Sequence, residues 1–208
     1  MISAAVCVLW TGAILLAQPK GTEPLVPAPV AAPYRVEGRV IVYEALGVRA
    51  TLRQVMPSEE AAFFEECTGR RQLLFSPDGT SSFFLLFALT LQNHSQASLV
   101  FNPGFITIKT NRIGGIKPLD YADLYMLLRA RPQALADAQP LLEKHFWLQP
   151  ETLPPGSASS RLLVFEPLPT KKTKSAVVNC AWLHLGGESF HLAFPYDVPQ
   201  PPKRKRRR

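Results

Sequence analysis

The stretch SFFLLFALTLQN, residues 82–93, is apolar at almost every position and follows the turn-forming sequence SPDGTS. A helix that crosses a membrane takes about 20 residues, so this run is too short to be one. A continuous apolar run of this length after a turn is typical of a strand that is covered on both faces. We therefore predict a central β-strand here, buried on both sides.

Alternating patterns on both sides of this run predict further strands. Apolar and polar residues alternate from Tyr34 onward, which predicts a strand near 35–45 that ends at a turn containing Leu46 and Gly47. Residues 49–56 alternate again and are expected to pair with it as a hairpin. Toward the C-terminus, residues 161–168 predict one more strand, and the Gly186/Gly187 pair predicts a hairpin between two others.

Two segments have helical rather than strand patterns. Ser58, followed by Glu59 and Glu60, suits the start of a short helix, whose acids we expect to form a solvated face. Residues 119–146 place Leu124 and Leu128 at helical spacing and predict a helical insertion packed on the strands. Seven or eight strands with one helical insertion indicate a mainly β protein, an antiparallel β-sandwich of immunoglobulin-like type.

Two stretches carry a family resemblance. LPPGSASSRLLVFEPLP, residues 153–169, resembles the Pro-Gly turn, small residues and Leu-Val-Phe strand of secreted bacterial immunoglobulin-like domains of unknown function, which are often lipoproteins. FALTLQNHSQASLVFNPGFITI, residues 87–108, is similar to the earlier strand, turn and strand of those domains. The helical insertion and the basic C-terminus depart from the family's pattern. The resemblance therefore implies the fold and no particular function.

The N-terminal region indicates export. Residues 1–18 contain an apolar run of the length found in secretory signals, so we expect a cleaved signal peptide or an uncleaved membrane anchor. Residues 19–33 are rich in proline and predict an extended linker. The folded domain is expected at 34–196 and a disordered basic tail at 197–208. These features predict a periplasmic or envelope-associated protein.

Cysteine usage leaves two arrangements open in an oxidising compartment. After removal of the leader, Cys67 and Cys180 are the remaining cysteines, which permits one disulfide. The alternative is two separately buried thiols, since cysteine is among the most buried residue types.

The charge of the chain is concentrated at its end. The formal net charge is +7, and the six residues from 203 to 208 supply six of those charges. A basic face on the folded body is therefore not expected, and affinity for polyanions must lie mainly in the tail. The expected partners are an anionic lipid or lipopolysaccharide surface or an acidic envelope protein. The polyanion-binding residues would be Lys203, Arg204, Lys205, Arg206, Arg207 and Arg208.

Motifs for catalysis and cofactor binding are missing from the sequence. It contains no Gly-x-Ser-x-Gly nucleophile elbow and no glycine-rich phosphate loop. We therefore expect a binding or structural module, no enzyme and no cofactor. Two alternatives stay open: a nucleic-acid-binding protein that uses the tail with Arg70, Arg71 and residues 171–174, and a metal-dependent enzyme that uses His184 and His191. These two histidines fall on one face of the predicted hairpin, where two imidazoles could share an ion, but a partly solvated outer face beside Trp182 is the favoured explanation for them.

Overall fold

The computed structural model describes residues 24–76, 82–129, 138–168 and 173–200. Within these ranges the chain forms eleven strands, three α-helices and a short 3-10 turn at Pro103–Phe105. The strands are β1 (Val26–Pro27), β2 (Tyr34–Glu37), β3 (Val40–Ala45), β4 (Val48–Val55), β5 (Leu85–Asn93), β6 (Leu99–Phe101), β7 (Ile106–Thr110), β8 (Glu151–Leu153), β9 (Ala158–Phe165), β10 (Ser175–Leu185) and β11 (Glu188–Asp197), and the helices are α1 (Pro57–Thr68), α2 (Tyr121–Arg129) and α3 (Ala138–His145).

The strands form two antiparallel sheets. The first sheet has the order β1-β11-β10-β6-β8. β7 also pairs with β10, over residues 176–180, whereas β6 pairs with residues 184–185. The second sheet has the order β2-β3-β4-β5-β9. This confirms the prediction of a mainly β protein with antiparallel sheets and a helical insertion.

The inner faces of the two sheets share one hydrophobic core. Phe87 of the second sheet contacts Tyr196 of the first, with ring centroids 5.6 Å apart. The Tyr196 hydroxyl, buried with the ring, donates to the Leu52 carbonyl of the second sheet at 3.3 Å. Burial raises the pKa of this phenol well above its usual value, so it remains a donor. The two sheets therefore pack face to face.

A second core covers the outer face of the second sheet. Along β5, Leu85 and Phe87 belong to the inner core, while Leu86 points to the other side and packs with the helices. Phe64 of α1 and Phe146, just after α3, meet there with ring centroids 6.3 Å apart. The strand predicted from residues 82–93 is thus covered on both faces, as its composition requires.

The helical insertion also closes an edge of the sandwich. The backbone amide of Leu119, just before α2, donates to the Val164 carbonyl, and that of Trp147 donates to the Leu162 carbonyl. Both acceptors lie on the edge strand β9. The Trp147 indole enters the inner core and donates to the Leu89 carbonyl at 3.0 Å. Two carbonyls on the outer edge of β9 are therefore satisfied, one by the insertion and one by the residue that follows it.

The first sheet has an open outer face. The residues that pack with the helices come from the second sheet, its adjoining loops and the helices themselves, and none lies on the first sheet. Across the described residues, no helix combines the length and apolarity needed to span a membrane.

Two predicted boundaries need correction. The strand predicted near 35–45 is a hairpin, because Glu37 pairs with Val40 across a turn in which Gly38 has a φ of 62°. The segment predicted as a linker at 19–33 joins the fold over its described part. Val26 pairs with Asp197 in the first sheet, and the Leu25 amide donates to Gln54 Oε1 at 2.7 Å.

The start of the predicted tail also belongs to the folded body. The Val198 amide donates to the Lys174 carbonyl at 2.9 Å, and the Gln200 side-chain amide donates to the Thr173 carbonyl. The folded region therefore extends through residue 200 rather than ending at 196. The predicted leader, residues 1–18, lies outside the described residues.

The β3–β4 turn yields a test of backbone strain. Leu46 and Gly47 both have positive φ, 56° and 72°, as a two-residue type I′ turn requires, and Leu46 is 58% exposed. Asparagine tolerates this conformation better than leucine. We expect Leu46→Asn to raise the free energy of unfolding by about 0.5–1 kcal/mol in a denaturant titration. Gly47→Ala is the opposing control, since its Cβ would lie 2.9 Å from Ser95 Cβ and should destabilise the fold. Equal stability of Leu46→Asn and the parent chain would contradict the strain.

Candidate functional site

The predicted polyanion-binding residues 203–208 lie outside the described residues, but their attachment point is described. Gln200 and Val198 are held against residues 173 and 174 at one end of the first sheet. At the same end, Lys109 is paired with Val177 and the Lys174 amide donates to Asn111.

Exposed cations surround this attachment point. Lys109, Arg112 and Lys174 are all exposed, and Asp197 is an exposed acid beside them. Among the described residues, this end of the first sheet therefore carries more exposed cations than exposed acids. By contrast, Arg71, which was considered as support for nucleic-acid binding, lies on the other side of the chain's fold beside α1 and pairs with Glu65 at 3.3 Å.

The two histidines considered as metal ligands do share the open face of the first sheet. His184 pairs with Ser189 across the β10–β11 hairpin, and its Nδ1 lies 2.7 Å from Ser189 Oγ. His191 is exposed on the same face, two residues further along β11. Within the described ranges, no three His, Cys, Asp or Glu side chains are grouped so that they could hold a metal ion. The pair therefore has no third protein ligand there.

A β-bulge interrupts β10 beside these histidines. Cys180 pairs with Leu192 and Leu183 pairs with Phe190, so that Ala181 and Trp182 lie opposite the single residue His191. Because of the extra residue, Leu183 belongs to the inner core and Ala181 does not. Bulges re-aim side chains in this way and are frequent beside functional sites.

Trp182 is the most unusual residue of this surface. Its φ is 57°, in the left-handed region, and its side chain is 58% exposed. For a residue other than glycine this backbone conformation costs about 1–2 kcal/mol. This feature was not predicted from the sequence, because neither a bulge nor a positive φ at tryptophan changes the alternation of apolar and polar residues in a recognisable way.

A cleft of about 290 Å³ lies between the helical insertion and the edge of the second sheet. Arg161 on its wall is neutralised by Glu151 at 2.8 Å and lies over the Trp147 ring, 5.1 Å from its centroid. Burial, together with the nearby Lys144 and Arg161 charges, lowers the pKa of His145. Among the described residues, the lining consists of Tyr121, Glu143, Phe146, Leu148, Gln149 and Arg161 and includes no serine, cysteine or histidine.

The acids of α1 do not form the uniformly solvated face that was predicted. Glu60 is buried, and its Oε1 accepts the backbone amides of Leu74 and Phe75. Glu59 accepts from the Met56 amide at the helix start and pairs with Arg39 and Arg53. The prediction is wrong for Glu60 because its carboxylate organises the loop that follows the helix, a long-range role that no helical pattern reveals.

The two cysteines are separate free thiols in the structure. Cys180 points into the inner core, where burial raises the pKa of its thiol to about 12. Cys67 lies on α1, which packs on the other side of the second sheet, and burial also raises the pKa of its thiol. The permitted disulfide is therefore not formed, since a sheet separates the two side chains.

Comparisons with known proteins identify no family. No protein-family model matches the chain, and no curated protein matches it. Among solved structures, the chain is similar to the crystal structure of the yjhA protein from Bacillus subtilis, with 14% sequence identity and a TM-score of 0.35. The match covers 67% of this chain and 77% of that chain. At this identity and TM-score, the likeness supports no conclusion about function.

The buried Glu60 carboxylate yields a stability test. Glu60→Ala leaves two buried backbone amides without their acceptor, so we expect a loss of about 2–4 kcal/mol in the free energy of unfolding. Glu66→Ala, at an exposed position of the same helix, is the matched control and should change stability by less than about 0.5 kcal/mol. If the two variants unfold alike in urea, Glu60 does not hold the 74–75 loop.

Proposed function

We propose that the protein is a non-catalytic binding module of the cell envelope that is held at an anionic surface by its C-terminal basic residues. The observation that carries this proposal is the run of six consecutive cations at 203–208 in a chain whose remaining net charge is about +1. Each basic residue near an anionic membrane contributes on the order of 1 kcal/mol at best. Six of them are sufficient for reversible attachment.

The geometry of the body supports this role. The last described residues are bonded at one end of the first sheet, so residues 201–208 must begin there. Lys109, Arg112 and Lys174 lie at that end, and they would extend the cationic surface toward the same anionic layer. An anionic surface contacted through this end leaves the open face of the first sheet accessible.

Residues 1–18 would direct export, with the body in the periplasm or at the envelope. The immunoglobulin-like topology is supported by the way the chain alternates between sheets: β5 lies in the second sheet, β6 and β7 in the first, β9 in the second, and β10 and β11 in the first. Such crossings are typical of Greek-key sandwiches.

Vesicle binding tests the proposal. The chain and a variant with residues 203–208 changed to glutamine should be compared on neutral phosphatidylcholine vesicles and on vesicles that also contain phosphatidylglycerol. We expect the parent chain to prefer the anionic vesicles, and the variant to lose about a hundredfold or more in affinity at low salt. A second variant, with Lys109, Arg112 and Lys174 changed to glutamine, should lose less.

The salt series separates the classes of partner. Binding to the anionic vesicles should weaken as salt is raised from about 0.05 to 0.3 M, because exposed charges are screened. Duplex DNA under the same conditions serves as the rival polyanion, and tighter binding to DNA than to the vesicles would favour a nucleic-acid-binding protein. Equal vesicle binding by the parent chain and the glutamine variant would overturn the proposal.

A further inference from the structure

The open face of the first sheet presents aromatic side chains that no other part of the described fold covers. Trp182 is 58% exposed at the β10 bulge, and Phe105, which directly precedes the residue paired with Cys180, is 48% exposed. Val100, paired with His184, is 37% exposed. The strand register places these exposed side chains at neighbouring positions around the bulge, and we call this region the Trp182 surface.

The backbone at Trp182 indicates that the exposure of this side chain serves a purpose. A left-handed backbone at a bulge is cheapest for glycine, yet the chain places its bulkiest residue there. The indole contributes nothing to the inner core, so its burial does not offset that strain. Strain retained without a packing benefit is a feature of binding and catalytic sites.

Hydrogen-bonding side chains lie near Trp182 in the strand register. His191 lies directly across from the bulge, and Asn179 lies on the same face of β10, between the inward-facing Val178 and Cys180. His184 uses Nδ1 for its bond to Ser189, which leaves Nε2 for a ligand. The Trp182 surface thus combines a flat aromatic platform with donors and acceptors at its rim.

The charged residues near the Trp182 surface indicate which class of ligand it could bind. On this face, the side chains of β10 and β11 nearest the bulge include no Asp, Glu, Lys or Arg, and the closest cation on β7, Lys109, lies at the opposite end with the attachment point of the tail. A nucleic acid or an anionic headgroup would require cations at the contact. The complementary ligand is neutral, with one apolar face and many hydroxyl groups.

We propose that the Trp182 surface binds a neutral saccharide. The C–H groups on one face of a pyranose ring would pack on the Trp182 indole, as apolar ligand surface packs on aromatic rings generally. The ring hydroxyls would exchange hydrogen bonds with the His184, His191 and Asn179 side chains. Phe105 would contact an adjacent sugar unit, so a polymer would bind better than a monosaccharide.

The test uses the full chain and three neutral, soluble polysaccharides as probes: a β-glucan, a mannan and a galactan. Binding is measured by isothermal titration calorimetry and by retardation in gels that contain each polymer. At least one polymer should bind, with an affinity that changes less than about twofold between 0.05 and 0.5 M salt, because no ion pair is formed. Absence of binding to all three polymers would overturn the proposal.

Two substitutions distinguish the loss of sugar stacking on Trp182 from a change in the stability of the fold. Trp182→Asn should reduce the affinity by about tenfold or more. It should also raise the melting temperature or leave it unchanged, because asparagine tolerates the left-handed backbone. Leu46→Asn is the matched control: Leu46 is another non-glycine residue of positive φ, is equally exposed, and lies on the second sheet. This control should retain full binding.

The Trp182→Asn variant also tests whether the binding site is the Trp182 surface. Polysaccharide binding that survives Trp182→Asn would overturn the proposal. The proposal would also be overturned if no polysaccharide binds and sedimentation shows that the parent chain self-associates while Trp182→Asn does not. The Trp182 surface would then be an interface between copies of the chain. The variant in which residues 203–208 are glutamine should bind polysaccharide normally, and Trp182→Asn should bind anionic vesicles normally. Failure of one proposal is therefore distinguishable from failure of the other.

Discussion

The double coverage of β5 is the constraint on which the rest of the structure depends. Its side chains are apolar from Leu85 to Leu89, so both faces of the second sheet must be removed from water along this part of the strand. The first sheet covers one face, and α1, α2 and α3 cover the other. The insertion at 119–146 is therefore part of the folding unit: it completes the second core and satisfies the edge of β9.

This constraint makes the molecule asymmetric. Because the helices are committed to the second sheet, the first sheet keeps an outer face that no described helix covers. The Trp182 surface lies on that face, and the attachment point of the basic tail lies at one end of the same sheet. Two different surfaces thus lie apart on one sheet: an end with exposed Lys and Arg side chains, and an aromatic surface where the neighbouring positions of β10 and β11 hold no Asp, Glu, Lys or Arg.

Sequence patterns predicted what depends on local periodicity. The buried central strand, the turns at Leu46/Gly47 and Gly186/Gly187 and the helical insertion follow from apolar spacing and turn chemistry, and the structure contains them. Sequence patterns did not predict the features that depend on contacts with residues distant in the sequence. β1 is a strand because β11 offers it an edge, and Glu60 is buried because a distant loop supplies two amides. The bulge at Trp182 has no signature in alternation, because alternation assumes an unbroken register.

Hydroxyl-radical footprinting of the full chain tests the central claim, that one sheet is covered by helices and the other is open. We expect strong labelling of Trp182 and Phe105 on the first sheet, and protection of Phe64 and Phe146 beneath the helices. Trp147, in the core between the sheets, should also be protected. In urea the protected rings should become labelled together, since one cooperative unit contains both cores. Protection of Trp182 in the native chain, or labelling of Phe64 and Phe146 before unfolding, would contradict the account.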